Sequence, residues 1–222
     1  MVSIIENVDV EKADVLRLGT SFMFTEGPVW DARGGFLLFS DIPGDRIFKW
    51  APDTGFSVFR APSGKSNGMT RDAQGRLIVC EHFNRRVSRT EHDGSVVALA
   101  THFGGRRLNS PNDVVVKSDG SIYFSDPPYG LNPVYGIDAA PELPFAGIYR
   151  VSPDGGEISL VVSDSTPNGL AFSPDETLLY VADTEKNHVR VFDVNPDGAV
   201  SNGRVFAPIT GNPLAPDGMK LD

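Results

Sequence analysis

Residues Pro167–Asp183 read PNGLAFSPDETLLYVAD: a polar residue and a glycine, an apolar run, a Pro-Asp turn, and a second apolar run that stops at an aspartate. The chain repeats this phrase. Asn112–Asp126 is NDVVVKSDGSIYFSD, Asn67–Glu81 is NGMTRDAQGRLIVCE and Glu26–Asp41 is EGPVWDARGGFLLFSD. Asp217–Asp222, DGMKLD, is its opening. The glycine or aspartate after each leading polar residue falls at Gly27, Gly68, Asp113, Gly169 and Gly218, in steps of 41, 45, 56 and 49 residues. Repeats of that length, rich in short strands, indicate the blades of a propeller.

Each unit offers about four strands. In the fourth these are Gly169–Ser173, Leu178–Ala182, His188–Val194 and Gly203–Pro208. Pro-Asp, Asp-Gly and Asn-Gly connections supply the positive φ of tight hairpins. Val115, Ile122, Phe124, Leu178 and Tyr180 belong to strand alternation or to short buried runs. No helical period is sustained, and Asp138–Glu142 reads at most as a turn. The expected fold is all-β, of the six-bladed β-propeller kind, with about four blades plus the first strand of a fifth in one domain spanning 1–222. Six blades of roughly 48 residues need about 290, so the sequence reads as a piece or an early-terminated version of something longer. Residues 1–25 read as an N-terminal segment whose Val15–Phe22 provides a closing strand. The step of 56 places an insertion at 127–147, PPYGLNPVYGIDAAPELPFAG, a Pro- and Gly-rich loop at one mouth of the propeller, either a lid or mere decoration.

Composition narrows the partners. The chain has 222 residues, is 40% hydrophobic and 22% charged, and carries a formal charge of −9 with Lys and Arg scattered singly. Nucleic acid and anionic membranes both need a concentrated cationic face, so neither is expected. No run approaches the ~20 apolar residues of a membrane helix. No signal peptide is visible, and a cytoplasmic protein is the expectation. The single cysteine, Cys80, lies in the apolar run LIVC and reads as a core residue.

In a propeller the innermost strand of each blade starts near the central channel, so equivalent residues converge on one axis. Here they are Glu26, Asn67, Asn112, Asn168 and Asp217, all with a side-chain oxygen. Asx residues also suit turns before strands, which accounts for any one of them alone. Five in register, including a glutamate, point to a hard cation, which takes carboxylate and amide oxygens. Without one, like-charged carboxylates would crowd together.

At these residues the sequence resembles the SMP-30/gluconolactonase/luciferin-regenerating-enzyme family, most closely its bacterial gluconolactonases. The matching stretches are TEGPVW (25–30), SNGMTRDAQGRLIVCEH (66–82), SPNDVVVKSDGSIYFSDPPYG (110–130), PNGLAFSPDETLLYVADTE (167–185) and APDGMKLD (215–222). The resemblance implies a divalent ion in the channel, most often Ca2+, with Zn2+, Mg2+ or Mn2+ as alternatives. It implies Glu26, Asn168 and Asp217 as protein ligands, Asn112 as ligand or substrate contact, and Asp217 as catalytic acid/base. It also implies hydrolysis of a small sugar lactone, with the ion polarising the lactone oxygens and Asp217 handling the proton. Asn67, Asn112, Ser110 and His82 are the expected substrate contacts. His82, in CEHFNRR, either faces the pocket or caps a strand end, and Asp126 is open in the same way. The departure from the family is the early end: Asp217 falls within the last six residues, where members continue through a fifth and a sixth blade.

Other readings stay open at this point. A calcium-dependent phosphotriesterase would use the same donor set. A non-catalytic propeller that binds proteins would have no use for five channel oxygens. An inactive truncated product is a fourth. GKSNG (64–68) fits the pattern of a hydrolase nucleophile elbow, but a strand rather than a helix follows Ser66. DVNPDG (193–198) opens like an EF-hand loop, but Arg204 stands where the twelfth-position glutamate belongs. The arginine pairs Arg85–Arg86 and Arg106–Arg107 read as solvated loop charges, with sugar-acid binding as the second choice. The lactone and the oligomeric state are not legible.

Overall fold

The computed structural model describes residues 16–210 and 215–221. Strands β1 (Thr25–Asp31), β2 (Phe36–Asp41), β3 (Arg46–Ala51) and β4 (Gly55–Arg60) form the first antiparallel sheet, in chain order. The second is β5 (Ser66–Arg71), β6 (Leu77–Glu81), β7 (Arg86–Thr90) and β8 (Val96–Ala100). A two-stranded ribbon, β9 (His102–Phe103) and β10 (Arg106–Arg107), precedes the third sheet. That sheet is β11 (Val114–Val116), β12 (Ile122–Asp126), β13 (Gly147–Val151) and β14 (Ile158–Val162). The fourth is β15 (Pro167–Phe172), β16 (Leu178–Asp183), β17 (His188–Val194) and β18 (Val200–Pro208). These are the four expected blades of an all-β propeller, each a four-stranded meander.

Continuous apolar runs arise because the second strands of the second and third blades are covered on both faces. In β6, Leu77 and Val79 join the core between the first two sheets, while Ile78 and Cys80 join the core between the second and third. In β12, Ile122 and Phe124 face the second sheet and Tyr123 faces the fourth. Successive side chains of a strand point to opposite faces, so a strand between two sheets needs apolar residues at every position.

The innermost strands β1, β5, β11 and β15 pack side by side with almost no room between their backbones. A Cβ on Gly27 would lie 2.2 Å from the Asn67 carbonyl oxygen, and one on Gly68 would lie 2.5 Å from that of Asn112. Asp113 takes the glycine register in the third unit and uses its side chain there, accepting the Leu170 N–H at Oδ2 (3.1 Å). Second-strand serines hold the neighbouring inner strands: Ser40 donates to Asn67 O (2.8 Å), and Ser125 donates to Asn168 O (2.6 Å).

Three expectations change. Residues 215–221 form no strand; they lie against the fourth blade, where a Cβ on Gly169 would meet Asp217 O at 2.4 Å, and Thr184 holds Pro216 O at 2.8 Å. A segment with no second strand beside it has no ladder to join. Residues 16–24 likewise carry no strand, and the part of the 1–25 segment from 1 to 15 lies outside the described residues. The one helical turn of the insertion is Pro128–Gly130 rather than 138–142.

Candidate active site

Three of the leading polar residues, Glu26, Asn67 and Asn168, sit in β-bulges. The ladder register of β1 and β2 shifts between Glu26 and Val29, that of β5 and β6 between Ser66 and Met69, and that of β15 and β16 between Pro167 and Leu170. A bulge re-aims a side chain and locally ends the pairing. Because the same bulge recurs in the first, second and fourth blades, the re-aimed side chains share a destination, and Asn112, just before β11, reaches it without one. Glu26, Asn67, Asn112, Asn168 and Asp217 all line one continuous cavity, with a lower part of 250 Å³ and an upper part of 280 Å³. They are the belt common to both parts. Asn67, Asn112 and Asn168 are buried.

Below the belt lie Asp113 and Lys220, whose ammonium is 3.4 Å from Asp113 Oδ1. Above it the wall is formed by Phe24, Ile42, His82, Tyr129, Tyr135 and Thr184. Tyr129 and Tyr135 belong to the insertion, which therefore forms part of the mouth. Lys65 fixes that loop by donating to the carbonyls of Pro133 and Val134 (2.7 Å each), and the Tyr135 ring meets Phe24 edge to face.

The electrostatics of the belt are those of two carboxylates in a confined space. The Glu26 carboxyl is pushed up to about 7, first by burial and then by the negative charges of Asp217 and Asp113, with the Gly27 N–H opposing. Its ordinary value is 4.5. The folded chain thus holds a proton that the unfolded chain has released, between pH 4.5 and 7. Stability from this group is present below that window and is lost as pH rises through about 7. In chelator, the urea midpoint is expected to fall from pH 5 to pH 8, with a smaller fall in Glu26→Gln. Buried Asp126, also raised to about 7 by burial, adds a drop of the same sign to both proteins. Equal falls in the two would show that the Glu26 carboxyl is not raised.

Among the described residues, no three His, Cys, Asp or Glu side chains cluster as a metal site. The donor set offered here is different: two carboxylates and neutral amide oxygens, which suits a hard divalent ion. The raised Glu26 marks a buried carboxyl with a second carboxyl beside it, and such an ion would offset both costs.

The other expected residues have definite places. His82 is buried and lines the upper cavity, with Nδ1 3.0 Å from Tyr135 O and Nε2 3.3 Å from Asn67 Nδ2. Ser110 does not line the cavity: its hydroxyl donates to Pro127 O (2.6 Å) and accepts from Gly130 N (2.9 Å), which anchors the insertion. Asp126 also faces away, accepting the Asn109 N–H at 2.7 Å. Ser66 is buried, 2.8 Å from Ser40 Oγ, and no helix follows it. Arg85 is not a solvated charge; it is buried and donates from Nε to Leu108 O at 2.7 Å. Arg86 pairs with buried Glu81. The sequence did not single out Phe24, Ile42, Asp113, Tyr129, Tyr135, Thr184 or Lys220 as site residues. Asp113 carried a signal, a charge standing in a register of glycines.

No helix among the described residues is long and apolar enough to cross a membrane. Residues 24–222 match the SMP-30/Gluconolactonase/LRE-like region. The chain is 34% identical to a gluconolactonase of Zymomonas mobilis over 92% of its own length and 64% of that protein's. It is 30% identical to the regucalcin of Oryctolagus cuniculus, covering 89% of this chain and 64% of that protein. Among solved structures it is similar to XC5397 of Xanthomonas campestris, described as a gluconolactonase, with TM-score 0.83, 40% identity and coverage of 89% of this chain and 66% of that one. The chain thus spans slightly under two thirds of these relatives' lengths. Its repeat, its blades, its channel belt and these likenesses agree, and the chain belongs to the SMP-30/gluconolactonase/LRE-like family.

Proposed function

We propose that this chain carries the centre of a metal-dependent sugar lactonase, with Glu26, Asn112, Asn168 and Asp217 as the residues that would hold the cation. The observation that carries this reading is the belt of five oxygen-bearing side chains on one cavity, with the Glu26 carboxyl pushed up by burial and by neighbouring Asp217. Bound there, a divalent ion, with Ca2+ as first choice, would supply Lewis-acid polarisation of the lactone oxygens. The residues of the chain do the rest. The mouth is apolar and aromatic on Phe24, Ile42, Tyr129 and Tyr135, which suits the carbon face of a compact ring. Amides from Asn67 and Asn112 hydrogen-bond its hydroxyls. The Asp217 carboxylate takes a proton from the attacking water as the new C–O bond forms at the carbonyl carbon. The ring C–O bond then breaks, and the departing ring oxygen receives that proton. The product is the open hydroxy acid, which sheds its own proton at neutral pH. Names of relatives support the substrate class, a gluconolactonase at 34% identity above all.

The test is an indicator-monitored hydrolysis of δ-gluconolactone, run beside a phosphate triester. Calcium-supported lactone turnover, lost in chelator and regained on adding Ca2+, is expected, with much slower attack on the triester. Turnover undiminished after exhaustive chelation would remove the metal from the reading. Preference for the triester would replace the substrate.

A further inference from the structure

His82 touches both the insertion and the belt. Its Nδ1 faces the carbonyl oxygen of Tyr135 at 3.0 Å. A carbonyl only accepts, so Nδ1 must carry the hydrogen. That carbonyl is held in place by a self-bonded turn: Asn132 Oδ1 accepts the N–H groups of Val134 and Tyr135 (3.0 Å each), and Gly136 donates back to Asn132 O at 2.8 Å. Gly130 gives the imidazole its room, since a Cβ there would lie 2.5 Å from His82 Cγ. The ring is 1% exposed, and burial pushes its basicity down to about 4, with the Lys65 charge acting in the same direction. A neutral ring protonated at Nδ1 has a bare Nε2, which only accepts. The Asn67 amide must therefore turn its NH2 towards His82, at 3.3 Å, and its Oδ1 is left for the cavity. A free amide can turn over, which would put N–H donors where an acceptor is needed.

We propose that His82 is a positioning residue: held by the Tyr135 carbonyl of the insertion, it fixes the Asn67 amide so that an acceptor oxygen, not a donor, faces the lactone. This moves His82 from substrate contact to the group that orients one, and it rests on the lactonase reading for its kinetic consequence only. It also gives the insertion a task, since the loop that walls the mouth sets the polarity of a belt residue beneath it. Asn67 Oδ1 then selects substrates that bring a hydroxyl donor, so lactones without free hydroxyls lose this contact.

Two measurements test it. A long-range 1H–15N correlation spectrum of the whole chain is expected to show His82 as the neutral tautomer with hydrogen on Nδ1; hydrogen on Nε2 would overturn the proposal, whatever the chain's activity. In kinetics, His82→Phe keeps a ring but removes both nitrogens, and is expected to lower kcat/KM for gluconolactone about tenfold, mainly through KM, the size of one unmade hydrogen bond. His82→Gln, whose NH2 can donate to Tyr135 and whose oxygen can accept from Asn67, is expected to recover most of that. The double variant Asn67→Ala/His82→Phe should be no worse than Asn67→Ala alone, because His82 acts through Asn67. Losses that multiply would show that His82 acts by itself. If His82→Phe does not fold, the spectrum of the unmodified chain decides. If the chain hydrolyses no lactone, the functional reading fails while the spectrum still judges the tautomer.

Discussion

Asp217→Asn is expected to lower lactone hydrolysis about a thousandfold at saturating calcium, the middle of the range for losing a general base. The exchange alters one atom of nearly the same size, so packing against Gly169 is kept. An amide cannot take up the proton that the attacking water must shed. The same change removes one of the two charges that push the Glu26 carboxyl up, so Glu26 in the variant should titrate nearer its ordinary value. Cation affinity should weaken, because an amide oxygen brings no charge, and for this reason the comparison belongs at saturating cation. Initial rates across a calcium series check it. Unchanged turnover in the variant would take Asp217 out of the chemistry.

Gly27→Ala is expected to destabilise the chain by about 3 kcal/mol or more, within the range for overpacking combined with a disfavoured backbone. Gly27 has φ +55, which side chains rarely adopt, and its added Cβ would lie 2.2 Å from Asn67 O and 2.9 Å from Gly68 Cα. These are backbone atoms of the next blade, not the tip of a side chain that can swing away. Relief requires the first two blades to part, which moves Glu26 and Asn67, two members of the belt. Gly35→Ala is the control: φ is +65 and nothing lies within 4 Å, so only the backbone cost of about 1 kcal/mol applies. Urea unfolding of both variants measures the difference. Equal losses would mean that the inner strands are not closely apposed at Gly27.

Much of this was legible in the sequence because the fold is periodic. The bulge that aims Glu26 into the channel recurs at Asn67 and Asn168, so one repeat predicts the next, and five polar residues in register became five residues on one cavity. Runs such as Leu77–Cys80 and Ile122–Phe124 announced strands covered on both faces. What broke the period was not legible. The 127–146 stretch between β12 and β13 folds on contacts to Lys65, His82, Ser110 and Phe24, none of which its own composition names. Ser110 therefore looked like a substrate contact although its hydroxyl is used within the protein, and Tyr129 and Tyr135 were missed. The meeting of Asp113 with Lys220 joins residues 107 positions apart. Arg85 looked like a surface charge because sequence alone cannot show the carbonyls of Leu108 and Asn109 that surround it.

Anomalous scattering from crystals of the chain grown with Mn2+ or Ca2+ tests the shared-cation belt most directly. A single strong peak within bonding distance of Glu26, Asn168 and Asp217, with Asn112 beside it, is the expected result. A map with no peak in the channel at saturating cation, or with its peak at some other group of carboxylates, would contradict it.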